Sequence, residues 1–395
     1  MLQKILLIIL TIAIYGCRTH TTSNKVTRLE PDSIPTKFQE HIISKNDRLE
    51  YGISFSPDMQ ELAFGVLDPI TMDGKIYYSR KIDKQWSTPE IFKPLENDTV
   101  FLPYFSPDGS SILFAKSKAN TNNYSTNIWK IERANDQWGI PVRLPLPINS
   151  KSREANASIT KDGTIYLSSN RNCEGKENCY TADLFYCRPD GSHYRPINEI
   201  SKLNSSSDEE SIFIAPNEAY VIFCRYTNQD NLADLYISYR DHKDQWTTPQ
   251  ILDATVNSRA WDRRPFVTST NEFLFFTRSE SDEKELVTSD IYWVHTSKVF
   301  KPFVYHPISK ISLEAGKKFE IKIPDDYFKD IDNMHLTIDI EPNQLNWLTF
   351  NRKKMKIYGL PTTAGNFEVT FTAVDQFMNT TRDTLNIQIT PKDHF

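Results

Sequence analysis

Apolar positions along this chain fall in short runs of Val, Ile, Leu, Thr and aromatic residues, each ended by a turn signal, and this punctuation predicts strands. One block recurs: FSPDMQELAF (55–64), FSPDGSSILF (105–114), ITKDGTIYL (159–167), IAPNEAYVIF (214–223) and FVTSTNEFLF (266–275). Its leading anchors are Phe55, Phe105, Ile159, Ile214 and Phe266, spaced by 50, 54, 55 and 52 residues. In each copy an apolar strand end meets a turn and a second apolar strand follows, as in a hairpin. A third strand is expected at KIYYS (75–79), NIWKI (127–131), DLFYC (183–187), DLYIS (234–238) and DIYWV (290–294). Then comes an aromatic residue with a proline close behind, from Trp86 and Pro89 to Phe300 and Pro302. Proline suits an outermost strand, where a missing N–H donor is tolerated. A lone four-stranded blade cannot bury both faces, whereas a ring of blades can, so the repeat predicts a β-propeller.

The Ser-Pro-Asp turns at 56–58 and 106–108, set in five repeats over residues 34–305, resemble the WD40-like, TolB-type (PD40) propeller repeat. Pro216-Asn217-Glu218 and Ser269-Thr270 stand where that family has Asp-Gly. The resemblance implies protein–protein scaffolding. Pro35-Thr36-Lys37-Phe38 echoes Pro89-Glu90-Ile91-Phe92, so an outer strand precedes the first hairpin and can complete the last blade. That favours five blades. Six is the alternative if residues 300–305 supply the fifth blade's own outer strand.

Residues 306–395 alternate without the blade pattern. Runs at 319–323, 336–340, 347–350, 355–359, 367–375 and 384–389 predict an Ig-like sandwich. Trp347-Leu348-Thr349-Phe350, Gly359-Leu360-Pro361, Gly365 and Ala373-Val374-Asp375 resemble the dystroglycan-type, cadherin-like Ig family, with Leu360 where Thr is usual. Some relatives hold calcium between modules, which places Asp330, Asp332 and Asp375 as candidate ligands. Calcium wants six to eight oxygens, so the competing reading is loop aspartates that cap turns.

The N-terminus carries Lys4 and an apolar run over 6–14, too short to span a membrane and suited to the core of a secretory signal. Ile14-Tyr15-Gly16-Cys17 resembles a bacterial lipobox, which implies cleavage before Cys17 and lipid on its sulfur. Residues 1–16 are then the signal and the polar segment 17–33 a tether. A plain cleaved signal is the alternative. The address expected is the cell envelope, at the outer membrane.

The formal charge is −5, with no basic face to suit nucleic acid. No Gly-x-Ser-x-Gly elbow, phosphate-cradling loop or His-Glu-x-x-His pair occurs. In an oxidising envelope Cys173 and Cys179 are disulfide candidates, while Cys187 and Cys224 read as buried thiols. Propeller topology brings the starts of first strands and the ends of second strands to one face. It gathers Glu50, Glu154, Glu209 and Asp262 with Lys116, Arg171, Arg225 and Arg278 around the channel mouth. They form either inter-blade ion pairs that fix register, which would depress every carboxylate, or a mouth that receives a ligand. Glycosidases work with paired carboxylates, one of them raised, so Glu50, Glu154 and Glu209 are the candidates for an enzyme acting on polysaccharide or peptide. A binding or scaffolding protein for a protein or carbohydrate ligand is the first reading.

Overall fold

The computed structural model describes residues 34–118, 125–176, 179, 181–227, 232–282, 285–332, 335–341 and 345–392. The signal, Cys17, the tether and residues 119–124 of the loop after the second blade's hairpin lie outside the described residues. The architecture is all-β: a five-bladed propeller followed by an Ig-like sandwich.

Blade one is built from Leu49–Phe55, Glu61–Leu67 and Gly74–Ile82, with Glu90–Ile91 outermost. Blade two has Val100–Phe105, Ser111–Ser117 and Thr126–Ala134, with Val142–Arg143 outside. Blade three runs Glu154–Ile159, Ile165–Ser169, Asp183–Cys187 and Asn198–Glu199. Blade four runs Asp208–Ile214, Tyr220–Thr227, Leu232–Tyr239 and Gln250–Ile251. Blade five contributes Trp261–Val267, Phe273–Asp282 and Glu285–His295. Its outer strand is the N-terminal Thr36–Lys37, with Thr36 opposite Trp293. Phe38 follows that strand into the core against Phe55, Phe275 and Trp293. Residues 303–304 do not join blade five; they pair with Phe328–Lys329 of the sandwich. The ring therefore closes at five blades.

Four of the five hairpin turns are held by a hydroxyl at their start; in blade four Ala215 stands there. The Ser56, Ser106, Thr160 and Thr268 hydroxyls accept from the backbone N–H that begins the second strand, at 2.9–3.2 Å. A left-handed residue sits in every turn: Met59, Gly109, Gly163, Glu218 and Asn271. Only two are glycine, so the Asp-Gly signature fades in sequence while the geometry persists. In blade five the residue equivalent to Phe55 is Val267, opposite Leu274, rather than Phe266. The expected anchor was one position early. An aromatic residue also precedes the anchor in blades two and four, at Tyr104 and Phe213, and Phe266 belongs to that set.

In the sandwich, Ile311–Glu314, Thr380–Thr390, Gly365–Val374 and Thr337–Ile340 form one sheet, and Phe319–Lys322, Lys356–Gly359 and Leu348–Asn351 the other. Tyr327, Ile357, Phe371, Leu385 and Ile387 fill the space between them. Ile311–Glu314 runs parallel to the last strand, an element the alternation alone did not reveal. The sandwich meets the propeller through Phe303, whose ring stacks on Tyr239 at 4.1 Å, and through Asn379, which donates to the Ser297 and Phe300 carbonyls.

Candidate functional site

The predicted acids and cations meet at one end of the ring, but as pairs inside blades. Glu209 stands directly opposite Arg225, whose Nε donates to it at 2.7 Å. Asp262 likewise faces Arg278 at 2.8 Å, and Arg171 reaches Glu154 at 3.4 Å. Glu50 faces Val66, and Arg48 takes the cation's place from two residues upstream, at 2.5 Å. In blade two Val100 occupies the acid's position and Lys116 pairs with Asp98 at 2.6 Å. Each guanidinium also donates to a carbonyl of the loop entering its own blade: Arg48 to Ile43, Arg171 to Ile148, Arg225 to Leu203 and Arg278 to Val256. The expectation of inter-blade pairs is therefore corrected, because both partners of each pair belong to one blade: Glu209–Arg225 and Asp262–Arg278 lie across the first and second strands, while Arg48, Asp98 and Arg171 sit just outside the strands of their own hairpins.

Glu50, Glu154, Glu209 and Asp262 are 0% exposed. Burial, the largest influence, pushes Glu50 up to about 7 and raises Glu154 and Asp262, against the expectation of depressed carboxylates. With no accessible oxygen, these four do not form a ligand-receiving surface, and Glu50, Glu154 and Glu209 are not placed to reach a substrate.

An asparagine latch accompanies this ring and was missed in the sequence. Asn149, Asn204 and Asn257 each accept from the backbone N–H, and donate to the C=O, of one residue on the preceding blade's third strand: Ile128, Leu184 and Leu235. The next residue, Ser150, Ser205 or Ser258, donates its hydroxyl to the carboxylate four positions on. The signal was present as Asn-Ser-x-x-x-Glu/Asp at 149–154, 204–209 and 257–262.

Just inside the acid ring the repetition stops. Every innermost strand carries a β-bulge with a left-handed residue: Gly52, Leu102, Asn156, Ser211 and Arg264. These five converge on the channel. The ring is tight, since a Cβ on Gly52 would lie 3.1 Å from Leu102 and 3.3 Å from Arg264. One step deeper, Tyr104 of blade two lies 6.3 Å from Phe213 of blade four and 6.1 Å from Phe266 of blade five, between ring centroids. Blade two adjoins neither blade four nor blade five, so the three rings meet across the axis.

Above the bulges a cavity of about 700 Å³ opens against blades three to five. Arg153, Glu210, Tyr226, Arg263 and Arg264 form its floor and walls, with Ser125, Asn170 and the Cys173–Cys179 disulfide at the rim. Arg153 pairs with Glu210 at 2.5 Å. Arg263 donates to the Tyr226 hydroxyl at 3.0 Å and to Ser279 at 3.2 Å, and stacks over Trp261. Arg264 lies over the Tyr51 ring at 5.0 Å. The Nε atoms of Arg263 and Arg264 are buried without a hydrogen-bond partner. Burial pushes the Glu210 carboxyl up, but the Arg153 guanidinium, with Arg264 and Arg263 behind it, outweighs this and holds it low. Burial, and then Glu210, raises Asp208 two residues upstream.

Asp330 and Asp332 lie against each other with the Asp375 charge acting on both, and Asp330 Oδ2 and both Asp332 carboxylate oxygens are buried without a hydrogen-bond partner among the described residues. Among the described residues no three His, Cys, Asp or Glu side chains are grouped closely enough to hold a metal. Asp375 also caps its own turn, accepting from the Phe377 and Asn379 backbones and the Asn379 amide. Burial, and then Asp330 beside it, raises Asp332. Cys187 and Cys224 are buried thiols.

A family model, He_PIG, described as "Putative Ig domain", matches residues 301–390. No curated protein matches the chain. Among solved structures, a Bacteroides fragilis protein described as a "putative alpha-galactosidase" is 22% identical over 23% of this chain, with a TM-score of 0.19, and the chain spans only 18% of it. A glycoside hydrolase is 8% identical over 68% of this chain and 92% of its own, with a TM-score of 0.47. An α-L-arabinofuranosidase from Fusarium graminearum is 10% identical over 67% and 98%, with a TM-score of 0.39.

Proposed function

We propose that this chain is a lipid-anchored cell-envelope binding protein whose propeller receives its ligand in the cavity between blades three and five. The observation that carries this reading is the break in symmetry above the bulges. At the position after the acid ring stand Tyr51, Phe101, Ala155, Glu210 and Arg263, and at the bulge Gly52, Leu102, Asn156, Ser211 and Arg264. Blades one and two offer apolar or small groups there; the other three bring charge and amide. A recognition site needs that inequality, and the loops at its rim are where binding residues concentrate. The lipobox-like residues 14–17 and the TolB-type repeats support the envelope address and a binding role.

The test is capture from native envelope extract by the intact chain, purified from membranes in detergent. Arg153→Ala and Arg263→Ala should lose a partner that wild type retains. Lys161→Ala, at the opposite end of the channel, should not. Unchanged capture by both mouth variants would remove the site from this cavity. Cys17→Ser should abolish fatty-acid labelling and membrane association.

An envelope hydrolase is the second reading, now resting on different residues. Glu210, which lines the cavity, is lowered, and Asp208, two residues upstream, is raised, the split that acid–base chemistry uses. Turnover of a polysaccharide that disappears in Glu210→Gln would favour it; no turnover by wild type would end it.

A further inference from the structure

Four cationic side chains line the cavity, Lys151, Arg153, Arg263 and Arg264, against two acidic ones, Glu174 and Glu210. Glu210 is committed to Arg153. Arg263 has only neutral hydrogen-bond partners among the described residues, and Arg264 has a ring face. Two adjacent guanidinium groups thus face one space without a carboxylate bonded to either. Consecutive strand residues ordinarily point to opposite faces. The left-handed backbone at Arg264, φ 54°, re-aims its side chain so that both line the same cavity. Burial, followed by the Arg263 charge, pulls the Arg264 guanidinium down to about 10 even with the Glu210 charge opposing the shift.

We propose that the cavity binds a carboxylate-bearing saccharide, its carboxylate bridging Arg263 and Arg264. This rests on the binding-protein reading above. A planar carboxylate matches the guanidinium fork. A dianionic phosphate would be repelled more strongly by ionised Glu210 beside the site. The remaining lining favours a sugar over a peptide: Ser125, Ser152 and Asn170 offer hydroxyl and amide groups, with Tyr226 as the one aromatic wall. The volume lies within the usual range for small-ligand sites, about 300–1,000 Å³.

The experiment is calorimetric titration of the intact chain with trigalacturonate, its methyl ester, a sulfated trisaccharide of equal size and a peptide with a free C-terminal carboxylate. Trigalacturonate should bind, and the neutral ester should bind at least 100-fold more weakly. Arg263→Gln and Arg264→Gln should each lose at least 10-fold, with melting temperatures showing that they fold. The acid-to-ester ratio in wild type holds the test even if a variant does not fold. Equal binding of acid and ester, a sulfated sugar or peptide bound more tightly than trigalacturonate, or no binding of trigalacturonate would each overturn the proposal. An envelope partner lost in the mouth variants but not displaced by trigalacturonate would also overturn it, while leaving the binding-protein reading in place.

Discussion

Two layers of the innermost strands sit one residue apart and behave in opposite ways. In the outer layer Glu50, Glu154, Glu209 and Asp262 recur blade after blade, fully buried, each tied to an arginine. In the next layer no residue type recurs, and among the described residues Arg263 bonds only neutral groups and Arg264 lies on a ring face. Charge in a propeller channel is therefore not by itself a sign of a site. Where it repeats and each acid is tied to a cation it is framework; where it differs between blades and two guanidinium groups have no carboxylate bonded to them, it is available to a ligand.

The sharpest way to break this comparison is to remove one framework acid. Glu209→Ala strands Arg225 and should cost about 3–5 kcal/mol, read by denaturant unfolding, because breaking a buried pair leaves an uncompensated charge. Asn257→Ala removes three hydrogen bonds to the Leu235 N–H, Leu235 C=O and Leu252 C=O, and should cost about 2–3 kcal/mol in the same assay. Gly52→Ala places a Cβ against Leu102 on a left-handed backbone, φ 52°, and should cost about 1–2 kcal/mol. It should also shift Arg264 and so weaken trigalacturonate binding.

A pH titration of stability sharpens the contrast without disturbing the site. Glu50 is raised to about 7 in the fold by burial, so the native state holds its proton more tightly than the unfolded chain. Its contribution is complete below the unfolded carboxyl value and is lost as pH rises through about 7. The slope is at most about 1.4 kcal/mol per pH unit for one group. Glu50→Gln should flatten that slope in urea melts run between pH 4.5 and 8. The smallest effect has the opposite sign. Arg264→Leu removes an unsatisfied cation, as Leu102 already does at the equivalent position in blade two, and should stabilise by about 0.5–1 kcal/mol while abolishing anion binding.

Much of the framework was legible in the sequence because it repeats. Hairpin anchors, third strands and the closing strand at 36–37 could be read from five degraded copies that corrected one another. The exception, Phe266 taken for Val267, arose where an aromatic residue of one layer imitated the anchor of the next. The acid ring was legible as positions but not as partners. Arg48 acts from outside its repeat position and Asp98 replaces the acid that Val100 lacks, and both substitutions work only through space. The cavity was not legible. Arg263 and Arg264 look like any adjacent pair on a strand, and only the bulge puts them on one side. Because that bulge spans residues as different as Gly52, Leu102 and Asn156, no sequence signal marks it.

The meeting of Tyr104, Phe213 and Phe266 across the axis has a consequence for the shape of what can be recognised. With those rings in contact, nothing can be threaded through this propeller, and whatever enters at the arginines leaves by the same opening. A long polymer can then be read only at a terminus or a side branch, as a fingertip fits a thimble, while the rest of the strand stays outside in solvent.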